Sequence, residues 1–313
     1  MRRPCEWARY STSGAALLDQ RYLGVMTSQA LRFGIVGTGG WSNHSHIPGA
    51  RSSPRVDFVG AIGRNDDFGK FLDTVDAVGF AVPPDVQAPL ALQAARAGKH
   101  VLFDKPIALD LDEAQTLAST IEDAGLASIV FLTRRFVEPV ARWIDDLAGT
   151  GGWSFGRAEI LTAALADMPN PGWRAERGGL WDLGPHALSL LCGALGPVVS
   201  VSATRSASDL VTTSLVHESG ATSVMSTSIS LPPSAGGGDD LLFLGESGRS
   251  VMPEIDEDAQ LPERAYARAI AALVDQVEGA SPGHPCDARF GAQIVRILDA
   301  AERSIDTRTH VDL

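Results

Sequence analysis

The chain has 313 residues, of which 44% are hydrophobic and 20% are charged, and its formal net charge is −12. This composition excludes a disordered chain, and the acidic balance argues against nucleic-acid and anionic-membrane partners. No apolar run approaches the ~20 residues of a membrane span. The cysteines, Cys5, Cys192 and Cys286, lie far apart. That spacing favours a reducing compartment such as the cytoplasm over a disulfide scaffold or a zinc site.

The first 29 residues show no clear periodicity. Their early arginines are followed by an apolar run that is too short for a signal peptide. A second methionine, Met26, stands shortly before the first convincing strand. We therefore expect residues 1–29 to form a poorly ordered extension, or to lie upstream of the true translation start.

Strands and helices alternate over residues 30–135, which is typical of a doubly wound parallel sheet. The run at 75–84 is apolar almost throughout, as expected for a strand buried on both faces. We predict a Rossmann-type domain over residues 30–135. Its predicted strands are 31–36, 55–64, 75–84, 100–106 and 127–136, and its predicted helices follow the first strand and cover 67–74, 85–99 and 110–126.

After residue 135 the strands come in runs, several with alternating polarity, which indicates a mostly antiparallel sheet with one open face. We predict an α/β domain over residues 136–313, and we expect homo-oligomers to form through the open sheet. Residues 231–240 are interpreted as a flexible hairpin connection. The predicted strands are 154–165, 198–207, 210–218, 221–231 and 240–247, and the predicted helices are 180–196, 262–280 and 288–306.

A glycine-rich turn follows the first strand and matches G-x-G-x-x-G if Ser42 can occupy the last position. Such glycines permit a tight turn and let a pyrophosphate approach the N terminus of the next helix. The strand before and the helix after favour a cofactor site over a plain turn. The predicted cofactor contacts in this turn are Gly37, Thr38, Gly39, Gly40 and Trp41.

The second strand ends at Gly63-Arg64-Asn65, without the acidic residue that usually binds a ribose hydroxyl. Arg64 suits the 2′-phosphate of NADP, and a plain surface arginine is the alternative. Asp66 and Asp67 follow closely and could offset its charge.

Lys105 is one of only three lysines in the chain, and it stands between Asp104 and Pro106 at the end of an apolar strand. Open α/β sheets bind ligands at this edge. A lysine offers a compact ammonium that can meet a single oxygen. These features favour a functional role for Lys105 over a surface or capping role.

The segment GGLWDLGPHALSLL (178–191) is the other candidate. If Asp182 is the N-cap of a helix, Pro185 falls in its first turn, where proline is tolerated. His186 then lies on the same face as Asp182, so that carboxylate and imidazole can converge. An imidazole transfers protons near neutral pH, and a histidine satisfied at a domain interface is the alternative. We predict no metal site, because His44 and His46 lack nearby ligands that would complete one.

Four segments in order carry a resemblance to a known family: GIVGTGGW (34–41), GKHVLFDKP (98–106), Gly172-Trp173-Arg174 and GGLWDLGPH (178–186). Together they resemble the Gfo/Idh/MocA family, the glucose–fructose oxidoreductase and inositol dehydrogenase group, from about residue 31 to the C terminus. The resemblance implies a Rossmann domain, a second domain with an open sheet, and hydride transfer between NAD(P) and a hydroxyl carbon of a sugar, cyclitol or related small molecule.

The same resemblance implies roles for individual residues. Lys105 would contact the reacting oxygen and the nicotinamide side, and His186 would be the acid/base, accompanied by Asp182. The further cofactor contacts that it implies are Ala81, Val82, Pro83, Asp104, Lys105, Trp173 and Arg174.

The sequence departs from the family pattern at three places. Asp104 replaces the usual glutamate, and Ser189 stands where an aspartate is frequent. The segment 63–74 is the largest departure, because it has room for one crossover helix but not for the usual additional strand. We therefore expect the third strand of the sheet, and one wall of the adenine side, to be absent.

Two functional hypotheses follow. The first is an oxidoreductase that uses NADP or NAD, with a slight preference for NADP. In it Lys105 stabilises the developing alkoxide, and His186, oriented by Asp182, takes the proton. The second is a ligand-binding or regulatory protein with weak or lost catalysis, which the short segment 63–74 motivates. Titration with NADPH and NADH discriminates between them.

Overall fold

The structure is a computed structural model that describes residues 30–168, 172–281 and 283–313. Residues 31–313 form one compact unit. The predicted extension over residues 1–29 lies outside the described residues. Within the described part, none of the helices combines the length and apolarity required to cross a membrane.

The first sheet has five parallel strands in the order β2-β1-β3-β4-β5, which confirms the predicted Rossmann-type sheet. The third strand is buried along its whole length, as the apolar run at 75–84 predicts, and the fifth strand is fully buried as well. The strands are β1 (Leu31–Val36), β2 (Val56–Ile62), β3 (Ala77–Phe80), β4 (His100–Asp104) and β5 (Ser128–Phe131).

The helices of this half alternate with the strands. A π-helical turn at Ser42–His46 leads into the first of them. The helix that follows β4 is capped by Asp110, whose carboxylate accepts a hydrogen bond from the Glu113 amide at 3.0 Å. The helices are α1 (Ile47–Ser52), α2 (Phe68–Leu72), α3 (Pro84–Arg96) and α4 (Leu111–Asp123).

Strand β2 has β1 as its only neighbour among the described strands. The chain passes from β2 to β3 through the single short helix α2. The expected loss of the outer strand is therefore confirmed. A register shift between Phe33 and Gly34 also leaves an extra residue in β2, at Val59.

The second sheet has seven strands in the order β11-β10-β6-β9-β8-β7-β12. It is mostly antiparallel as predicted, and the pair β6–β9 is parallel. The strands are β6 (Trp153–Leu161), β7 (Val198–Arg205), β8 (Val211–His217), β9 (Thr222–Ser228), β10 (Gly238–Gly245), β11 (Gly248–Val251) and β12 (Val311–Asp312).

Two expectations for this half are wrong. Residues 231–240 are not a hairpin connection, because β6 lies between β9 and β10 in the sheet. Helix α5 (Glu138–Thr150) was not predicted. Its buried residues Val140, Ile144 and Leu147 have the i, i+4, i+7 spacing of an amphipathic helix.

Three longer helices pack against the sheets. Helix α6 (Trp173–Leu195) packs on β6 and β9, and α7 (Pro262–Val277) packs on α1 and β5. Helix α8 (Ala288–Thr307) contacts both β5 and β7. The carboxyl ends of the first sheet therefore meet α6 of the second half, and the candidate site lies there.

Candidate active site

The glycine turn after β1 is held in place by a close backbone approach and a buried hydrogen bond. Gly37 has a φ of +125°, and a Cβ at this position would lie 2.4 Å from the Ala81 carbonyl oxygen, so that only glycine fits. The buried Ser42 hydroxyl donates to the Gly37 carbonyl at 2.7 Å. Ser42 is therefore the small residue that closes the motif. A Cβ on Gly39 or Gly40 meets no atom of the described residues within 4 Å, so that side of the turn is open.

The end of β4 is held by a residue that was not predicted. Gln87 on α3 is fully buried. Its amide nitrogen donates to the carbonyls of Asp104 at 2.9 Å and Pro106 at 3.1 Å, and its oxygen accepts from the Asp104 amide at 2.8 Å. The Lys105–Pro106 peptide bond is cis. Because both sides of Lys105 are anchored through Gln87, its backbone position is fixed.

Lys105 forms the central ion pair of the cleft. Its Nζ donates to the Asp182 carboxylate at 2.7 Å and to the Asp182 carbonyl at 2.6 Å. Arg174 Nε donates to the same carboxylate oxygen at 3.0 Å, and the Arg174 guanidinium lies 4.6 Å from the centre of the Trp173 ring. Burial would raise the pKa of Asp182, but the charges of Lys105 and Arg174 outweigh it and lower that pKa. Asp182 is therefore an anion that holds two cations.

The predicted N-cap role of Asp182 is wrong. Helix α6 begins at Trp173, and its one break in helical geometry is at Gly178, which has a φ of +65°. The Asp209 carboxylate accepts from the amides of Gly179 and Ile229 at 3.1 and 2.9 Å and stabilises this break. Asp182 and Pro185 consequently lie inside the helix. A Cβ on Gly179 would lie 2.6 Å from the Ser228 Cα, so α6 rests directly on the end of β9.

His186 lies one helical turn after Asp182 and lines the same cleft. The hydrogen bonds of the described residues do not join it to Asp182, and its buried Nδ1 has no partner among them. The expectation that Asp182 orients His186 is therefore wrong in this arrangement. Burial, and then the charges of Arg134, Lys105 and Arg174, lower the pKa of His186 well below its usual value. The imidazole is neutral at neutral pH and can accept a proton.

These residues surround a cavity of about 650 Å³ at the carboxyl ends of the first sheet. It brings together most of the predicted site residues, whereas Gly37, Thr38 and Arg64 are not among the residues that line it. The predicted residues that line it are Gly39, Gly40, Trp41, Ala81, Val82, Pro83, Asp104, Lys105, Trp173, Arg174, Asp182 and His186.

Arg134 also lines the cavity and was not predicted. It follows β5 in a single 3₁₀ turn and forms a bidentate ion pair with Asp239 at the start of β10. The sequence signal for it is the pair Arg134-Arg135 directly after a buried strand, at the edge where ligands bind.

Arg64 lies at the exposed end of β2. The two acidic residues that could offset its charge make other contacts. Asp66 accepts from the Gly63 amide at 2.8 Å, and Asp67 accepts from the Lys70 amide at 3.1 Å as the cap of α2. Arg64 forms none of the ion pairs found among the described residues.

Behind the cleft, Asp104 faces two buried polar side chains. His46 Nε2 lies 3.9 Å from Asp104 Oδ2, and the ring centroids of His46 and Tyr266 are 4.2 Å apart. Neither ring nitrogen of His46 nor the Tyr266 hydroxyl has a hydrogen-bond partner among the described residues. Burial lowers the pKa of His46 to about 4, although the Asp104 charge acts in the opposite direction.

A family model described as an oxidoreductase family with an NAD-binding Rossmann fold, Gfo/Idh/MocA, matches residues 31–132. Over this segment, about a third of its length, the chain is similar to the Gfo/Idh/MocA family. This confirms the resemblance on which the site residues were predicted. Within the described residues no cluster of metal ligands accompanies the site.

Several curated proteins are similar to part of the sequence. A levoglucosan dehydrogenase of Pseudarthrobacter phenanthrenivorans is 26% identical over 62% of the chain and 47% of its own length. A galactose 1-dehydrogenase of Pseudomonas fluorescens is 32% identical over 52% of the chain and 57% of its own length. The matched segments thus span about half the length of these curated relatives.

Solved structures share the fold over nearly the whole chain. GenD2 from gentamicin A biosynthesis, solved in complex with NAD, has a TM-score of 0.77 and 21% identity, and the match covers 91% of this chain and 97% of that one. The match covers nearly the whole of both chains, so the two proteins share the fold.

Proposed function

We propose that the protein is an NAD(P)-dependent oxidoreductase that transfers hydride between a nicotinamide cofactor and a hydroxyl or keto carbon of a sugar, cyclitol or related small molecule. The observation that carries the proposal is the cleft in which Lys105, ion-paired to Asp182, lies beside a neutral His186. The named relatives act on levoglucosan and galactose, which supports a polyhydroxylated substrate class.

The residues of the glycine turn fit a dinucleotide. The open side at Gly39 and Gly40 leaves room for a pyrophosphate, which backbone amides can bind without side-chain interference. Ala81, Val82 and Pro83 line the same cavity and would flank the nicotinamide end. When bound, the cofactor supplies the hydride acceptor or donor. The protein supplies the site for the substrate oxygen and the path of its proton.

Lys105 and His186 have different roles at the substrate oxygen: Lys105 stabilises its charge, and His186 transfers its proton. An ammonium has three donors, and Asp182 accepts two of the Lys105 donors. The third can meet the substrate oxygen and stabilise the charge that develops on it. The neutral His186 can take the hydroxyl proton in oxidation and return it in reduction. In this proposal Asp182 fixes Lys105 rather than the imidazole.

The finer cofactor preference, NADP over NAD, rests on Arg64. A guanidinium binds a phosphate bidentately, and Asp66 and Asp67 bind backbone amides instead of Arg64. The absent outer strand supports weak overall affinity, because less of the adenine is removed from water.

A catalytically inactive ligand-binding protein is the alternative, and the short segment 63–74 is its only support. A homo-oligomer formed through the open face of the second sheet stays a prediction, as does a cytoplasmic location.

The test is a fluorescence titration of the full chain with NADPH and NADH, followed by a rate assay over a panel of aldoses and inositols. We expect micromolar or weaker binding with a preference for NADPH that Arg64→Ala removes. We also expect turnover of at least one polyol, with a kcat that Lys105→Ala lowers by about 10²-fold or more. Binding of neither cofactor contradicts the proposal, and binding without turnover of any polyol favours the alternative.

A further inference from the structure

A second cavity of about 410 Å³ shares no lining residue with the cleft described above. It lies among α5, α6, α8 and the start of β7. Its wall is largely apolar and includes Ala148, Cys192, Val198, Phe290 and Ile297. Its charged lining side chains are Arg135, Arg296 and Asp145.

Arg135 is the unusual member of this lining. Its side chain is only 7% exposed, and its Nη1 is buried without a hydrogen-bond partner among the described residues. Its nearest carboxylate, Asp145 Oδ1, is 3.6 Å from Nη2 and belongs to a side chain that is 71% exposed. A buried cation is normally paired and hydrogen-bonded, because an uncompensated charge in the interior is costly. Arg135 therefore has a donor to spare.

The groups around Arg135 do not neutralise it. Burial and the Arg135 charge lower the pKa of His284 to about 4, so this imidazole is neutral. Burial raises the pKa of Cys286 to about 11, so this thiol is neutral as well. A Cβ on Gly193 would lie 3.3 Å from Arg135 Nη1 and 2.7 Å from Ile144 Cγ2. The glycine thus leaves space beside the unpaired nitrogen.

We propose that this cavity binds a small organic carboxylate. Its carboxyl group would meet Arg135, with Arg296 adding positive charge, and its apolar body would lie against Val198, Phe290 and Ile297. The guanidinium fork matches a carboxylate bidentately. The cavity volume falls in the ~300–1,000 Å³ range of small-molecule sites. A ligand of this class supplies both the missing acceptor for Arg135 and apolar surface for the wall.

The site is independent of the proposed catalytic function, yet it borders the same elements. Arg135 follows Arg134 of the active cleft directly in the chain. Ser189 lines the second cavity and donates to the His186 carbonyl at 2.7 Å. An occupant would therefore contact the turn and the helix that carry Arg134 and His186.

The test is isothermal titration of the full chain with sodium benzoate, with benzamide as a probe of the same shape without charge. We expect saturable binding of benzoate and no binding of benzamide. Arg135→Gln should weaken benzoate binding by about tenfold or more, because it removes a charge-assisted hydrogen bond. Equal binding of both probes, no binding of benzoate, or unchanged affinity in a folded Arg135→Gln variant would overturn the proposal.

Two substitutions at exposed positions keep the test decisive if Arg135→Gln does not fold. Asp145→Asn removes the competing carboxylate and should tighten benzoate binding, whereas Arg296→Gln should weaken it. Arg303→Gln removes the same charge from α8 outside the cavity and is the matched control. Equal effects of Arg296→Gln and Arg303→Gln, or no tightening in Asp145→Asn, would assign the binding to the overall charge of the protein and overturn the proposed site.

Discussion

The two sides of the Asp104–Lys105 strand end differ in how their polar groups are satisfied. On the cleft side, Lys105 and Asp182 are largely buried, but each charge meets a partner within hydrogen-bond distance. On the rear side, His46 and Tyr266 are fully buried and lack hydrogen-bond partners among the described groups. Lys105 and Asp182 remain charged because each is paired with the other. His46 and Tyr266 are neutral because burial disfavours a charged form that has no partner. The end of β4 therefore lies between two regions. The cleft side, with Lys105, can stabilise an anion, whereas the rear side, with His46 and Tyr266, is uncharged.

Removal of Asp182 should have the largest effect on stability. Asp182→Ala leaves Lys105 and Arg174 without their shared anion in a buried site, which should cost about 3–5 kcal/mol of the free energy of unfolding. Urea denaturation measures this loss. In the double variant Lys105→Ala/Asp182→Ala, the loss should be clearly smaller than the sum of the two single losses. Additive losses would show that the two side chains do not form the pair described above.

Lys105→Ala should reduce kcat by about 10²–10³-fold in any turnover that the protein supports, which corresponds to ~2.7–4 kcal/mol of transition-state stabilisation. The fold should survive, because Asp182 keeps its contact with Arg174. Lys70→Ala, which removes an exposed lysine, is the control and should leave kcat unchanged. A wild-type kcat in Lys105→Ala would remove this lysine from the mechanism.

Acid should destabilise the folded protein through His46, which lies on the rear side of this strand end. The pKa of His46 in the folded protein, about 4, lies below its ordinary value of 6.5. Below pH ~6.5 the unfolded chain therefore binds a proton that the folded protein excludes. Stability should fall by about 2–3 kcal/mol as the pH drops from 6.5 to 4, and should be unaffected by this group above 6.5.

Comparison of His46→Gln with wild type isolates this contribution, since the variant should lose that part of the pH dependence. His44→Gln changes an exposed histidine in the same turn and is the matched control. Burial and the Arg135 charge also lower the pKa of His284 to about 4. His284 therefore contributes equally to the pH dependence of stability in wild type and in both variants, and its effect cancels in the comparison. Parallel pH curves for His46→Gln and wild type would be incompatible with a neutral, buried His46.

Tyr266→Phe should have the smallest effect, and of opposite sign. It removes a hydroxyl that has no partner among the described residues while leaving the aromatic packing on Phe131 and His46 intact. Stability should be unchanged or should rise by about 1 kcal/mol, because an unsatisfied buried group is removed. A loss above ~1 kcal/mol in urea denaturation would show that the hydroxyl makes a stabilising hydrogen bond.

Local pattern was sufficient to predict much of the first half of the molecule. The alternation of apolar strands and amphipathic helices predicts the parallel sheet, and the length of segment 63–74 predicts that the outer strand is missing. The convergence of Lys105, Asp182 and His186 in one cleft also follows the family resemblance. These features depend on short segments whose residue order carries the information.

The remaining features depend on contacts between distant segments. Asp182 looks like an N-cap because proline follows it. However, Asp209, distant in sequence, fixes the break at Gly178 and lets the helix start earlier. The roles of Gln87 and Tyr266 likewise arise from partners that the sequence does not mark. Helix α5 and Arg134 have local sequence signals, but neither was predicted.

Among the described strands, β2 pairs only with β1, so it is an edge strand whose other side meets no strand of the described sheet. An exposed edge strand can pair with a strand of another molecule, which leads to aggregation. The extra residue at Val59 is a bulge, and Gly60 beside it has a φ of +139°. A bulge bends the strand and interrupts the regular spacing that an incoming strand would need. We therefore expect the irregularity in β2 to disfavour pairing of this edge with a strand of another molecule.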